Sequence, residues 1–163
     1  MPPARGTGDV VLDRVAALLL AATVLLSFVQ VVARYVLLIS TPWTEELARL
    51  FFVWAVFLGA AIGVKRNLHT RLDFLFVRLP PRAAALLLAG MDLLLAGMAV
   101  VMVLYGGQLV LSTRADFSTS LGYPRNWFYL PVPFSGILML WYLLPNLARR
   151  LSSGRATPPG REA

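Results

Sequence analysis

Cysteine is absent from this 163-residue chain, and histidine occurs once. Without cysteine there is no disulfide, no catalytic thiolate and no iron–sulfur ligand. The single His69 cannot supply the paired axial ligands of a membrane b-type haem, or a zinc site of familiar composition. The sequence also lacks a Ser–His–Asp set and a glycine-rich phosphate loop. These absences argue against an enzyme or an electron carrier and predict no metal or cofactor in this chain.

Charged residues are scarce and apolar residues abundant. Only 14% of the residues are charged, 58% are hydrophobic, and the mean hydropathy is +0.72. A bilayer core ~30 Å thick needs roughly 20 apolar residues at helical rise. Runs of that length lie at about 10–38, 43–64, 83–111 and 127–147. The sequence therefore predicts an all-α membrane protein with four transmembrane helices. The first run is longer than a typical signal-peptide core, so we expect it to be retained.

The basic residues are distributed unevenly between the two sides of the membrane. The predicted spans place eleven on one side and four on the other, which indicates that the richer side is cytoplasmic. Both termini and the 65–82 segment are then inside, and the 35–46 and 112–126 loops outside. The net charge of +7 is explained by this basic rim and anionic lipids, without nucleic acid. The inner set is Arg5, Arg14, Lys65, Arg66, Arg71, Arg78, Arg82, Arg149, Arg150, Arg155 and Arg161; the outer set is Arg34, Arg49, Arg114 and Arg125.

The segment between the second and third spans has its own periodicity. Apolar residues recur at helical spacing with basic residues between them, which predicts an amphipathic helix at about 66–79, lying in the inner membrane interface. The alternative is a solvated connection. The Ser-, Gly-, Pro- and Arg-rich tail at 151–163 is predicted to be disordered and cytoplasmic. The candidate interfacial residues are Lys65, Arg66, Leu68, Arg71, Leu72, Leu75, Phe76, Arg78 and Leu79.

Polar residues cluster where the second span begins. Thr41 is a candidate N-cap, and Pro42 fits the first helical position. Acidic residues in the first turn complement the helix dipole, and Arg49 lies on the same face. One interpretation is capping beside an aromatic belt residue, and the other is a polar contact with another membrane subunit. The cluster is Trp43, Glu45, Glu46 and Arg49.

Two further features lie within the spans. Gly59 and Gly63 form a G-x-x-x-G pair, a weak motif that permits close helix packing. Asp92 lies about ten residues into the third run, at a depth where an ionised group is costly. It could serve a proton or cation relay, or face a protein partner in a hydrogen-bonded or protonated form. The second interpretation is favoured because no other acid or histidine lies at its depth.

Taken in order, these motifs resemble the small membrane subunit, the DctQ-type small permease, of tripartite ATP-independent periplasmic (TRAP) transporters. The resemblance covers most of residues 10–150 and depends on the order and spacing of several short pieces. These are Arg34-Tyr35, Trp43-Thr44-Glu45-Glu46 with Arg49, Gly59-Ala60-Ala61, Lys65-Arg66, His69, Asp73, the segment from Pro124 to Trp127, Tyr129, Pro133, Gly136 and Met139.

The resemblance implies a non-catalytic scaffold subunit in the bacterial inner membrane. In this family a large permease subunit holds the substrate and sodium sites, and a periplasmic binding protein delivers an organic acid such as a C4-dicarboxylate or a sialic acid. Because the chain ends after four helices, we expect the large subunit to be separate. The substrate itself is not readable here, since specificity resides in the other proteins. The candidate contacts with the large subunit are Trp43, Glu45, Glu46, Arg49, Gly59, Gly63 and Asp92.

A small, self-sufficient, homo-oligomeric membrane transporter is the alternative function. Such a protein would need an acid embedded in helix 1, where the sequence has Gln30. Purification in mild detergent separates the two hypotheses, because only the scaffold requires a larger, different membrane protein.

Overall fold

The computed structural model describes residues 7–66 and 80–153 of the chain. These residues form helices joined by short connections. An isolated β-bridge pairs Phe117 with Pro124, and no named strand occurs in the described ranges. The helices are α1 (Thr7–Tyr35), α2 (Pro42–Lys65), α3 (Pro81–Ser112), the single turn α4 (Asn126–Tyr129) and α5 (Pro131–Ser153).

Four segments are long and apolar enough to cross a membrane: Val10–Tyr35, Pro42–Lys65, Leu86–Ser112 and Asn126–Pro145. The prediction of an all-α protein with four membrane-spanning helices is thereby confirmed. The predicted interfacial helix falls almost wholly on residues 67–79, and most of the predicted disordered tail on residues 154–163. Both lie outside the described residues and stay predictions, as does the orientation of the termini.

The fourth span, Asn126–Pro145, agrees with the helix predicted at about 127–147; its backbone angles stay helical at Leu130, but its hydrogen bonding is interrupted there. The break between α4 and α5 lies at Leu130, directly before Pro131. Proline has no N–H, so Pro131 cannot donate to the carbonyl of Trp127 four residues earlier. That carbonyl accepts a hydrogen bond from the indole Nε1 of Trp54 on α2 instead, at 3.3 Å. The backbone hydrogen bond missing at Pro131 is therefore replaced by a hydrogen bond between the second and fourth spans.

The four long helices lie side by side in an open row. α1 packs on α2, α2 on α5, and α5 on α3. No comparable packing joins α1 to α3 in the part of the chain that the structure describes, so the helices do not close into a bundle. In the most apolar part of α1 none of the residues is buried. The row of α1, α2, α5 and α3, called here the helix row, therefore leaves much of its apolar surface for lipid or another protein.

Buried apolar residues, several of them small, hold α2, α3 and α5 together. The buried cluster consists of Ala61, Val64, Ala99, Met139 and Leu143. Two helices approach closely at Gly136 on α5, where an added Cβ would lie 2.9 Å from the carbonyl oxygen of Ala99 on α3. Gly106 is similarly confined by Val132 and Pro133. In membranes, small residues bring helix backbones close enough for van der Waals attraction to hold them together.

Candidate functional site

The polar cluster lies where α1 ends and α2 begins, a region called here the outer end after the predicted orientation. α2 begins at Pro42 with Thr41 in the N-cap position, but the Thr41 side chain makes no capping bond. The hydroxyl of Thr44 donates instead to the carbonyl of Thr41 at 2.7 Å, and the Thr44 N–H to the same oxygen at 3.1 Å. Thr41 therefore occupies the predicted N-cap position, but buried Thr44 closes the turn in place of a side-chain capping bond from Thr41.

Glu45 connects the first two helices. Its Oε1 pairs with Arg49 Nη2 at 2.9 Å one turn along α2, and its Oε2 accepts from Gln30 Nε2 of α1 at 3.4 Å. The Arg49 and Glu45 side chains are 63% and 55% exposed. An exposed pair at this spacing contributes only about 0.3–0.5 kcal/mol. These contacts therefore orient Glu45 more than they stabilise the fold.

Glu46 lies against the connection between α3 and α4. It lines a cleft of about 190 Å³ together with Arg49, Tyr123 and Arg125, and the aromatic residues Phe128 and Tyr129 also line this cleft. Glu46 Oε2 is buried and has no hydrogen-bond partner among the described residues. The two adjacent acids thus differ: Glu45 is exposed and ion-paired, and Glu46 is half-buried beside two arginines.

The 113–125 connection is ordered by its own hydrogen bonds. The Ser118 N–H donates to the Tyr123 carbonyl at 2.9 Å, and the Arg125 N–H to the Asp116 carbonyl at 2.8 Å. Gly122 has φ +68°, a left-handed conformation that glycine adopts without steric cost. This turn places Tyr123 and Arg125 in the cleft with Glu46.

The electrostatic environment of this cleft acts on Tyr123. Burial raises the pKa of the Tyr123 hydroxyl above its ordinary value of 10.0, and the negative charge of Glu46 raises it further. Arg125 and Arg49 act in the opposite direction. The neutral phenol is therefore the favoured form, and it keeps its hydroxyl as a donor within the cleft.

The sequence-predicted residues are brought together only in part. Trp43, Glu45, Glu46 and Arg49 do lie at one end of the helix row, as predicted. Sequence reasoning did not include Ser118, Tyr123 and Arg125 in this site. These three residues are far from Glu46 in the sequence, so the sequence does not show that they share a cleft with it. They do so because α5 packs against α2. Gln30, one turn before Arg34, was the one available signal that α1 would contribute.

The remaining predicted contacts have different environments. Gly63 is buried within the chain, whereas a Cβ added at Gly59 would meet nothing within 4 Å. Gly59 is therefore the member of the pair that stays open to a partner. Asp92 is 3% exposed and enclosed by this chain, which leaves little of its side chain for a second subunit. Within the described residues, Gly106 and Gly136 lie at close contacts between helices.

At the other end of the row, two of the predicted interfacial residues form contacts within the chain. The Lys65 ammonium lies 4.6 Å from the centre of the Tyr142 ring on α5, a cation–π distance. Arg66 pairs with Asp13 on α1. These contacts join the end of α2 to both of its neighbours in the row. The other candidates, Leu68, Arg71, Leu72, Leu75, Phe76, Arg78 and Leu79, lie outside the described residues.

The sequence that forms these helices matches a known protein family. Residues 23–153 match the model of the family described as tripartite ATP-independent periplasmic transporters, DctQ component. The chain belongs to the DctQ family. The matched range begins within α1 and extends to the end of α5, so it includes the second half of the first span, the other three spans and the polar cluster at the outer end.

Relatives in the DctQ family carry different substrate names. The chain is 29% identical to the sialic acid TRAP transporter small permease protein SiaQ of Vibrio cholerae, over 79% of this chain and 75% of that protein. It is 28% identical to a putative TRAP transporter small permease protein of Haemophilus influenzae, over 79% and 80%. It is 31% identical to the isethionate TRAP transporter permease protein DctMQ of Oleidesulfovibrio alaskensis, over 67% of this chain and 18% of that longer protein.

Membership of the DctQ family sets the class of activity. The chain is a multi-pass membrane protein and a component of a transporter, and it is not an enzyme. The outer cluster is then a candidate surface for contacts between subunits. Its ion pair, buried carboxylate oxygen and neutral tyrosine are groups suited to holding loops and neighbouring chains in position.

Proposed function

We propose that this chain is the non-catalytic scaffold subunit of a sodium-coupled TRAP transporter for an organic acid in the bacterial inner membrane. It binds a large permease subunit that holds the substrate and sodium ions, and it helps dock a periplasmic binding protein. The observation that carries the proposal is the DctQ-family match over residues 23–153, which reaches every helix of the open helix row.

The open row supports a scaffold for a physical reason. A transport pathway needs polar groups gathered at mid-membrane, where half-helices and unwound backbone commonly supply them. In the described spans, Asp92 is the acid that lies deep in the membrane, and this chain encloses it. The large unburied apolar surface instead suits packing against a second membrane protein.

The predicted orientation supports a docking role for the outer end. That orientation places the 113–125 connection and the start of α2 at the periplasmic surface. Hydrogen bonds within the connection hold it in one conformation before any partner binds, which lowers the entropic cost of association. Arg114 and Arg125 give it basic character.

Reconstitution tests the proposal. The chain would be expressed with the large permease and binding protein encoded beside it, and uptake measured in proteoliposomes with an inward sodium gradient. Radiolabelled sialic acid and isethionate would be tried because relatives bear these names, and a C4-dicarboxylate because the family resemblance implies it. We expect a large membrane protein to co-purify, and uptake to require that protein, the binding protein and sodium.

The chain reconstituted alone is the matched control. We expect no uptake above that of empty liposomes, even with the binding protein added. Uptake by the chain alone would refute the scaffold role and support the self-sufficient homo-oligomer. Transport by the large subunit and binding protein at an unchanged rate, with this chain omitted, would also refute the proposal.

A further inference from the structure

A second cleft, of about 330 Å³, opens at the outer end between α1, the linker at 36–41 and α2. Its lining includes Gln30 and Arg34 of α1, Leu38 and Ile39 of the linker, and Glu45 of α2. The volume is at the small end of the range for ligand sites, ~300–1,000 Å³. The cleft therefore fits a headgroup-sized molecule with groups of both charges.

Arg34 supplies the positive charge. It lies in the last turn of α1, is exposed, and makes no ion pair with any described residue. The apolar span that ends beside it has 26 residues. At helical rise such a span extends ~39 Å, more than the ~30 Å hydrocarbon core. Arg34 thus reaches the level of the lipid phosphates, whose oxygens a guanidinium can bind through two parallel hydrogen bonds.

Glu45 supplies an acceptor in the same cleft. Its Oε1 bonds to Arg49 at 2.9 Å, but its Oε2 has only the 3.4 Å contact from Gln30, which is long for a hydrogen bond. An ionised carboxylate has about four acceptor positions, so Oε2 can take another N–H donor. A primary ammonium would satisfy this position, whereas a quaternary ammonium has no N–H to donate.

The linker beside the cleft supplies an apolar surface. Tyr35, Val36, Leu37, Leu38 and Ile39 are consecutive and all exposed. Leu38 is 85% exposed and has φ +56°, a left-handed conformation that is unfavourable for a residue with a Cβ. An apolar stretch of this kind is unfavourable in water and favourable beside acyl chains.

We propose that this cleft binds the headgroup of phosphatidylethanolamine. The lipid phosphate contacts Arg34, its primary ammonium donates to Glu45, and its acyl chains lie along the exposed linker. Phosphatidylcholine is disfavoured because its quaternary ammonium has no N–H to donate to Glu45. Phosphatidylglycerol is disfavoured because its headgroup has no cation. This assignment does not depend on the transport function, because only residues of this chain form the cleft.

Native mass spectrometry of the full chain, with any subunit that co-purifies, tests the proposal. Delipidated protein would be equilibrated with phosphatidylethanolamine, phosphatidylcholine or phosphatidylglycerol in mild detergent, and bound lipid counted. We expect at least fivefold more of the first lipid than of the others. Arg34→Gln should remove that excess, and Glu45→Gln should abolish the discrimination against phosphatidylcholine. Arg114→Gln, which changes an exposed arginine outside the cleft, should have no effect.

Crosslinking gives an independent measurement that leaves Arg34 and Glu45 unchanged. A photoreactive residue at position 39 would be activated in membranes labelled with radioactive phosphate. A phospholipid adduct supports the site, and an adduct with protein alone overturns it. Equal retention of the three lipids, no loss with Arg34→Gln, or equal loss with Arg114→Gln would also overturn it. Displacement of the lipid by millimolar inorganic phosphate would assign the site to a free anion and likewise overturn it.

Discussion

The indole Nε1 of Trp54 donates to the backbone carbonyl of Trp127 at 3.3 Å. This is the carbonyl that an unbroken helix would have paired with the N–H of residue 131, which is a proline. The Trp54 ring also lies 6.0 Å from the ring of Phe134. One side chain of α2 thus compensates for the break in the fourth span and packs on the helix that follows it.

Trp54→Phe should lower stability by about 0.5–1.5 kcal/mol, because it removes the donor and keeps most of the ring. Thermal unfolding in detergent measures the change. The control is Trp141→Phe, at a 74% exposed position, which should have little effect. In a Pro131→Ala background, the N–H of residue 131 can itself donate to the Trp127 carbonyl. Trp54→Phe should therefore lower the stability less in that background than in the natural chain. Additive losses in this double-mutant cycle would contradict the assignment.

Gly136→Ala should separate α3 from α5. The added Cβ would lie 2.9 Å from the Ala99 carbonyl oxygen and 3.0 Å from Val103 Cγ2, and the backbone oxygen cannot move without its helix. We expect destabilisation of about 1–3 kcal/mol, the usual cost of overpacking. Gly97→Ala on α3 meets nothing within 4 Å and serves as the control. Equal unfolding temperatures for the two variants would show that the helices do not approach closely at Gly136.

The two adjacent acids should respond differently to removal of their charge. Glu45→Gln disrupts an exposed pair and should change stability by no more than about 0.5 kcal/mol. Glu46→Gln removes the charge of a half-buried carboxyl group, and a group of the large subunit left buried and unpaired by that change would cost ~3–5 kcal/mol of subunit association. Unfolding temperature and co-purification of the large subunit would be measured for both, with Arg49→Gln beside them. A larger loss for Glu45→Gln than for Glu46→Gln would contradict the geometry of the cleft.

Tyr123 should make stability decrease at alkaline pH. Because its folded-state pKa is raised above 10.0, the unfolded chain loses the proton first. The contribution is complete below pH 10 and is lost as the pH rises from there through the folded-state pKa. Tyr123→Phe should therefore flatten the pH dependence of the unfolding temperature above pH 10. Glu46→Gln should lower the pKa of Tyr123, so that tyrosinate absorbance assigned to this residue develops at lower pH.

Single cysteines test the orientation directly, because the natural chain has none. Ser120 is exposed on the 113–125 connection, whereas Ser118 is buried and would react poorly. We expect an impermeant thiol reagent to label Ser120→Cys in intact spheroplasts, and Arg71→Cys only after the membrane is opened. Labelling of Arg71→Cys alone in intact spheroplasts would invert the proposed topology.

Composition and local patterns alone were enough to predict the class of protein. Four apolar runs can satisfy their backbone hydrogen bonds in a membrane only as helices, so their number and approximate positions are readable from the sequence. The beginning of α2 was readable for the same kind of reason, since a proline at the first helical position loses no hydrogen bond. The family resemblance likewise depended on local motifs, each within one short segment.

Only the tertiary structure decided which helices touch. The order α1, α2, α5, α3 depends on contacts between small residues far apart in sequence, such as Gly136 with Ala99, and any apolar helix face could have met lipid instead. For that reason Glu45 and Glu46 could not be distinguished beforehand: one turns toward Gln30 of α1, and the other toward Tyr123. Two neighbouring residues of identical chemistry acquire different environments because a helix presents each to a different partner, and those partners are chosen by long-range packing.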